Sequence, residues 1–212
     1  MTGKSTHTAP IAAPTTNGKR HHGNLRQTLI NAGIDILGQD GLSALTLRAC
    51  AARAGVSHAA PAHHFSGLPG LQAGIAAKGY TLLVTAMTSE RAKVDPRATA
   101  RLLAICQGYL HFAQAYPALF TLMFSTDVFA DDCHTDPDLA AASTAAYGIL
   151  AEACAAFDPG PIGASGLEIM IWSLIHGYAS LMQHRRIGAE SLSPAGVAEF
   201  DTILATLKLR EK

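Results

Sequence analysis

The chain has 212 residues, 49% of them hydrophobic and 15% charged, and its sixteen basic and sixteen acidic side chains leave no net charge. That length suits one compact unit, or a small domain joined to a larger one, and an alanine-rich composition poor in aromatics favours an all-helical protein. No apolar run reaches the roughly 18–20 residues of a membrane span, the N-terminus lacks the apolar core of a secretory signal, and the four cysteines (Cys50, Cys106, Cys133, Cys154) form no CxxC pair, so a reduced, cytoplasmic protein that avoids membranes is expected.

Taken in order, residues 1–22 hold almost no large apolar group and read as a disordered tail. Its basic end, with Lys19 and Arg20, could lie along DNA phosphates or in the minor groove. A first helix starts near Asn24, with Gln27 as capping-box partner and Leu25, Leu29, Ala32/Gly33 and Ile36 as its buried stripe. Gly41 stops it. Leu42, Leu45 and Leu47 should close a small core with Val56 and Phe65.

The most informative stretch is Thr46–Phe65, TLRACAARAGVSHAAPAHHF. Leu47, Cys50, Ala51 and Ala54 form one apolar stripe of a short helix, Thr46 is its N-cap and Gly55 its left-handed stop. Ser57 reads as the N-cap of a second short helix, His58 to about His64, with Pro61 in its first turn. Two short helices across a glycine turn make a helix-turn-helix, whose second helix lies in the DNA major groove. Thr46, Arg48, Ser57, His63 and His64 are then candidates for phosphate contacts, and His58 and Ala59 for base contacts.

Further helices are predicted over about 71–91, 97–115, 118–124, 138–157, 164–187 and from Ser193-Pro194 to the end. Asp95-Pro96, Tyr116-Pro117 and Asp158-Pro159-Gly160-Pro161 break between them. The helix over 164–187 is apolar almost all round, which means burial on every face and more apolar surface than this chain alone can cover. With the last helix, whose stripe is Val197, Phe200, Ile203/Leu204 and Leu207, it would form a two-fold interface between copies. Trp172 and His176 share one face, an aromatic floor with a polar handle that suits a small-molecule pocket. Tyr109, Phe112, Phe120, Met123, Phe124 and Tyr147 are candidate lining, and each could equally be plain core.

Charge is uneven. Residues 1–64 carry six cations (Lys4, Lys19, Arg20, Arg26, Arg48, Arg53) against Asp35 and Asp40. The remainder carries the compensating excess of acid, with no lysine or arginine between 102 and 184. A basic head on an acidic body points to a polyanion at one end. Asp131-Asp132-Cys133-His134 lacks the gaps of a zinc site. There is no GxSxG, phosphate loop or HExxH, so neither metal, cofactor nor catalysis is expected.

These residues carry a resemblance. Leu25–Phe65 resembles the DNA-binding region of the TetR family of transcriptional regulators in the order Gly41, Thr-Leu-Arg (46–48), Ala-Gly-Val-Ser (54–57) and His-Phe (64–65). Trp172-x-x-x-His176-Gly177 resembles a subgroup with a WHG-type C-terminal domain. The resemblance implies a homodimer formed by the last two helices and a small-molecule effector held in the body. Two positions depart from the family pattern. Ala62 stands where a phosphate-binding tyrosine is usual, and Leu68 where a lysine is.

The expected architecture is all-α with about nine helices: a tail over 1–22, a three-helix helix-turn-helix domain over 23–66 that binds double-stranded DNA, and a helical effector-binding and dimerisation domain over 67–212. The function expected is a ligand-responsive repressor acting on a palindromic operator. A helical small-molecule-binding protein with weakened or lost DNA binding is the alternative, motivated by Ala62 and Leu68.

Overall fold

A computed structural model describes residues 25–125, 136–183 and 195–212, without the side chains of 195–199. Outside these residues lie the expected tail with Lys19 and Arg20, the Asn24 cap, the Asp131–His134 run with Cys133, and the Ser193-Pro194 cap. Among the described residues there are eight α-helices and no strands: α1 (Leu25–Asp40), α2 (Leu47–Arg53), α3 (Gly67–Arg91), α4 (Ala98–Ala115), α5 (Pro117–Met123), α6 (Pro137–Cys154), α7 (Gly163–Gln183) and α8 (Ala195–Thr206). No helix among them is long and apolar enough to cross a membrane.

The N-terminal elements follow the local chemistry closely. Thr46 caps α2 by accepting the Ala49 N–H at 3.0 Å. Gly55, at φ 69°, ends it in a Schellman arrangement, with Val56 N–H on the Ala51 carbonyl and Gly55 N–H on that of Ala52. Arg53 bonds Gln39 and Asp40 and so ties α2 back to α1.

The expected α-helix over 58–64 is not formed. The segment is a turn followed by a 3-10 helix over Ala60–His63, and Ser57 contributes its carbonyl, not a side-chain cap, accepting Ala60 N–H at 3.0 Å. Pro61 explains this. With Ser57 as cap, Pro61 is the fourth helical residue, the one whose N–H would make the first bond back to the cap carbonyl, and proline has none. Tighter i→i+3 bonds take over. Pro69 shows the converse. It is the third residue of α3, where the N–H is unpaired in any helix, so α3 starts at Gly67 rather than at the expected Leu71. Leu42, expected in the head core, is exposed, while Leu45 and Phe65 are buried.

The 25-residue α3 is the spine. It packs on α1 and α2 at its start and on α4, α5 and α6 along its length. Leu71, Ile75 and Ala76 join Leu29, Ile30 and Ile36 of α1, and Tyr80, Leu83 and Met87 continue into the body, so one apolar cluster runs through both. The α3–α4 crossing needs Gly108, because a Cβ there would lie 2.6 Å from the Ala86 carbonyl oxygen and the Met87 Cα. The end of the chain returns as a strap. Phe157 and Glu211 form an antiparallel bridge, and the Glu211 carboxylate accepts both the N–H and the hydroxyl of Thr99 at the start of α4.

Gly108→Ala is therefore expected to destabilise the fold by about 1–3 kcal/mol through overpacking. Gly148→Ala, where nothing lies within 4 Å, should be neutral or stabilising by up to about 1 kcal/mol. Paired thermal denaturation curves check the opposite signs.

Candidate functional site

Two candidate regions lie along α3, one at its start and one further along it. At the head, Thr46, Arg48, Ser57, His58, Ala59, His63 and His64 are all exposed. Arg48 has no hydrogen-bond or ion-pair partner among the described residues, whereas the other two arginines there are engaged. Arg53 is held by Asp40 at 2.9 Å. Arg26 reaches across to the start of α6, 3.3 Å from Asp138 and 3.6 Å from Asp136, and lies over the Phe65 ring at 5.5 Å from its centroid. The cationic surplus counted along the sequence is thus partly neutralised within the fold. Ala62 is exposed, and Leu68 is half-buried against the core, so neither offers a phosphate contact of the kind that tyrosine or lysine would.

In the body, α3, α4, α6 and α7 line a half-open cavity of about 350 Å³, with Tyr147 and Trp172 exposed at its rim. Four of the eight residues singled out from sequence line it: Tyr109, Phe124, Tyr147 and Trp172. His176 stands behind that wall, its Nδ1 2.9 Å from the Tyr109 hydroxyl and its ring stacked at 5.4 Å on Phe120. Phe112 and Phe120 do not line the cavity. Both are buried in the core behind it, as is Met123, which Gly79 of α3 lets approach. Tyr147 and Trp172 meet edge-to-face at 5.8 Å, and the Tyr147 hydroxyl donates to Glu168 at 2.6 Å.

Sequence reasoning missed the α3 and α6 walls, Tyr80, Leu83 and Met87 on one side and Ser143, Ala146 and Leu150 on the other. Tyr80 carried a signal, as a polar-tipped ring amid small residues, but nothing in the local pattern says which face of a long helix meets a void. Ionisable groups on or behind the walls are held neutral. Burial pushes the Tyr80 phenol up to about 12, raises the Tyr109 phenol and the Cys106 thiol, and lowers the His176 imidazole.

The outer side of α7 departs from burial on every face. Ile169 is 56% exposed and Leu181 47%, with Ile203 of α8 also exposed. Ile169, Ser173, Gly177 and Leu181 follow one another at i, i+4 spacing, one stripe of the helix.

Comparison with known proteins follows the same lines. Residues 102–207 match the family model described as Tetracyclin repressor-like, C-terminal domain. No curated protein matches the sequence. Among solved structures, a protein of unknown function from Rhodococcus sp. RHA1 shares 27% identity over 90% of this chain and 96% of its own, with a TM-score of 0.72. A TetR family transcription regulator from Marinobacter aquaeolei VT8 covers 88% of this chain and 96% of its own at 14% identity and TM-score 0.63. Apo ActR from Streptomyces coelicolor covers 86% and 84% at 14% identity and TM-score 0.54. These last two likenesses are of fold.

A histidine that folding keeps neutral binds fewer protons in the folded chain than in the unfolded one. The stability it supports is whole above about pH 6.5 and is lost as pH falls from there towards the lowered folded value. Urea denaturation at pH 7.5 and 5.5 should show a smaller loss on acidification in His176→Gln than in the parent chain. Equal losses would place the depressed histidine elsewhere.

Proposed function

We propose, because this chain belongs to the TetR family of transcriptional regulators, that it is a ligand-responsive repressor binding a palindromic operator as a homodimer. Members of the family are DNA-binding transcriptional regulators, and this chain would act in the cytoplasm. The observation that carries the reading is that one helix, α3, roots the exposed Ser57–His64 segment at its start and walls the cavity with Tyr80, Leu83 and Met87 further along.

In this reading residues 23–66 are the DNA-binding domain. Arg48, Thr46, Ser57, His63 and His64 hold phosphates, joined by Lys19 and Arg20, while His58 and Ala59 meet bases. Residues 67–212 dimerise and hold the effector against Tyr109, Phe124, Tyr147 and Trp172, with His176 setting the Tyr109 hydroxyl and Phe112 and Phe120 backing the wall. Filling the cavity moves α3 and α6 against each other. Two routes reach the head: α3 itself, and the ion pairs from Asp136 and Asp138 at the start of α6 to Arg26 of α1. A dimer whose two reading segments leave a spacing of about 34 Å, or a multiple of it, can no longer seat both in successive major grooves.

Selection from random duplexes should return a palindrome. Arg48→Ala should then weaken binding to specific and non-specific DNA alike and flatten the salt dependence, lowering its slope by about one for each phosphate no longer neutralised. Unchanged affinity and slope would remove Arg48 from the interface. The second reading, a small-molecule binder with lost DNA binding, draws on Leu68, which packs inward where a cation would reach a phosphate. No enriched duplex at low salt would favour it.

Dimerisation is read from the α7 stripe. Burying an isoleucine or leucine side chain stabilises by about 1.5–3 kcal/mol, so Ile169→Glu with Leu181→Glu should convert a dimer to a monomer in sedimentation equilibrium and abolish cooperative operator binding. A dimer that survives both changes would place the interface elsewhere.

A further inference from the structure

We infer that the body cavity selects an uncharged, largely apolar molecule of a few rings or fewer, carrying one hydrogen-bond acceptor that meets the Tyr80 hydroxyl. This rests on the reading of the cavity as the effector site and adds the chemical class of the effector.

Size comes first. A volume of about 350 Å³ lies at the small end of ligand pockets, which run from about 300 to 1,000 Å³. Charge follows from the walls. Among the described residues, no aspartate, glutamate, lysine or arginine lines the cavity. The Glu168 carboxylate is not among the lining groups and accepts the hydroxyl of wall residue Tyr147. The surroundings disfavour charge of either sign, since burial raises the tyrosines and Cys106 away from their anions and lowers His176 away from its cation. A charged ligand would meet the same loss of hydration with no opposite charge on the described lining residues themselves to offset it. Aromatic faces attract a cation only modestly by comparison. The same burial keeps Cys106 a thiol, so capture of an electrophile is not what the cavity is built for.

The polar handle is Tyr80. Its side chain is only 6% exposed, yet its hydroxyl reaches the Met123 carbonyl at 3.5 Å, beyond the usual range for such a bond. Tyr109, by contrast, is satisfied at 2.9 Å by His176. A buried donor with so long a bond gains most from a new acceptor at ordinary length. Tyr80 also belongs to α3, so the ligand's acceptor would pull on the helix that carries the head.

The test uses four probes of one ring system on the full chain: 2-acetylnaphthalene (neutral, with an acceptor), naphthalene (neutral, without), 2-naphthoate (anion) and N-methylquinolinium (cation). Calorimetry measures each, and fluorescence of Trp172, the single tryptophan of the chain, reports occupancy of the cavity. The ketone is expected to bind at least tenfold more tightly than either ion. Tyr80→Phe should cost the ketone about five- to tenfold and leave naphthalene unchanged. Ser143→Phe, at a half-buried wall position, and Ala146→Phe should block all probes while circular dichroism shows an intact fold. An ion that binds as tightly as the ketone, and is lost in the Phe-filled variants, overturns the class assignment and leaves the effector cavity standing. So does a ketone indifferent to Tyr80→Phe. Binding unaffected by filling, or none by any probe, overturns the effector cavity itself and this inference with it.

Discussion

The structure depends on one helix that is buried almost continuously from Leu71 to Tyr80 and keeps one buried face on to Met87. α3 has apolar or small residues at nearly every position from Leu71 to Leu83, and its neighbours press on it from several sides. Close-packed surroundings such as those of α3 repack in discrete steps rather than deform smoothly. Its backbone also comes unusually near to α4, where Gly108 offers no side chain to hold the two apart. Tyr80 and Leu83 belong to the same apolar cluster as Leu71 and Ile75, where the head is attached.

The head shows why charge counted along a chain is a poor map of charge presented to a partner. Arg26 and Arg53 are drawn into pairs with carboxylates, one across to α6 and one along α1. Arg48 is left to face outward. The exposed histidines of the Ser57–His64 segment add ring nitrogens that can donate or accept hydrogen bonds on the same surface. Pairs this exposed contribute little to stability. The Arg26 pairs matter for position, because they fix the first helix to the start of α6, whose later turns form a cavity wall.

The cavity is a place where burial neutralises its own surroundings. Phenols, a thiol and an imidazole are all held in their uncharged forms by loss of hydration. The wall is shared by four helices, α3, α4, α6 and α7, whose lining residues lie far apart in sequence. The strap formed by the last residues, with Glu211 capping α4 at Thr99, holds the far end of that arrangement.

What the sequence determined by itself is what local chemistry determines. The Thr46 cap, the Gly55 and Gly41 stops, the breaks at Tyr116-Pro117 and Asp158-Pro159, the all-helical class and the motif order of the family are legible because each rests on residues within a turn of one another. The register of Pro61 was legible too, one residue away from where it would have been harmless, and that residue decides between an α-helix and a 3-10 turn. Tertiary structure alone decided the rest. Which of several aromatic rings faces a void, and which, like Phe112 and Phe120, stands behind it, depends on how four helices lean together. So does the choice, among the described arginines of the head, of Arg48 over Arg26 and Arg53 as the one without a carboxylate partner, and the pairing of Glu211 with Thr99 across 112 positions. Contacts between residues distant in the chain leave no period or cap to read, because their geometry is set by packing and not by neighbours in sequence.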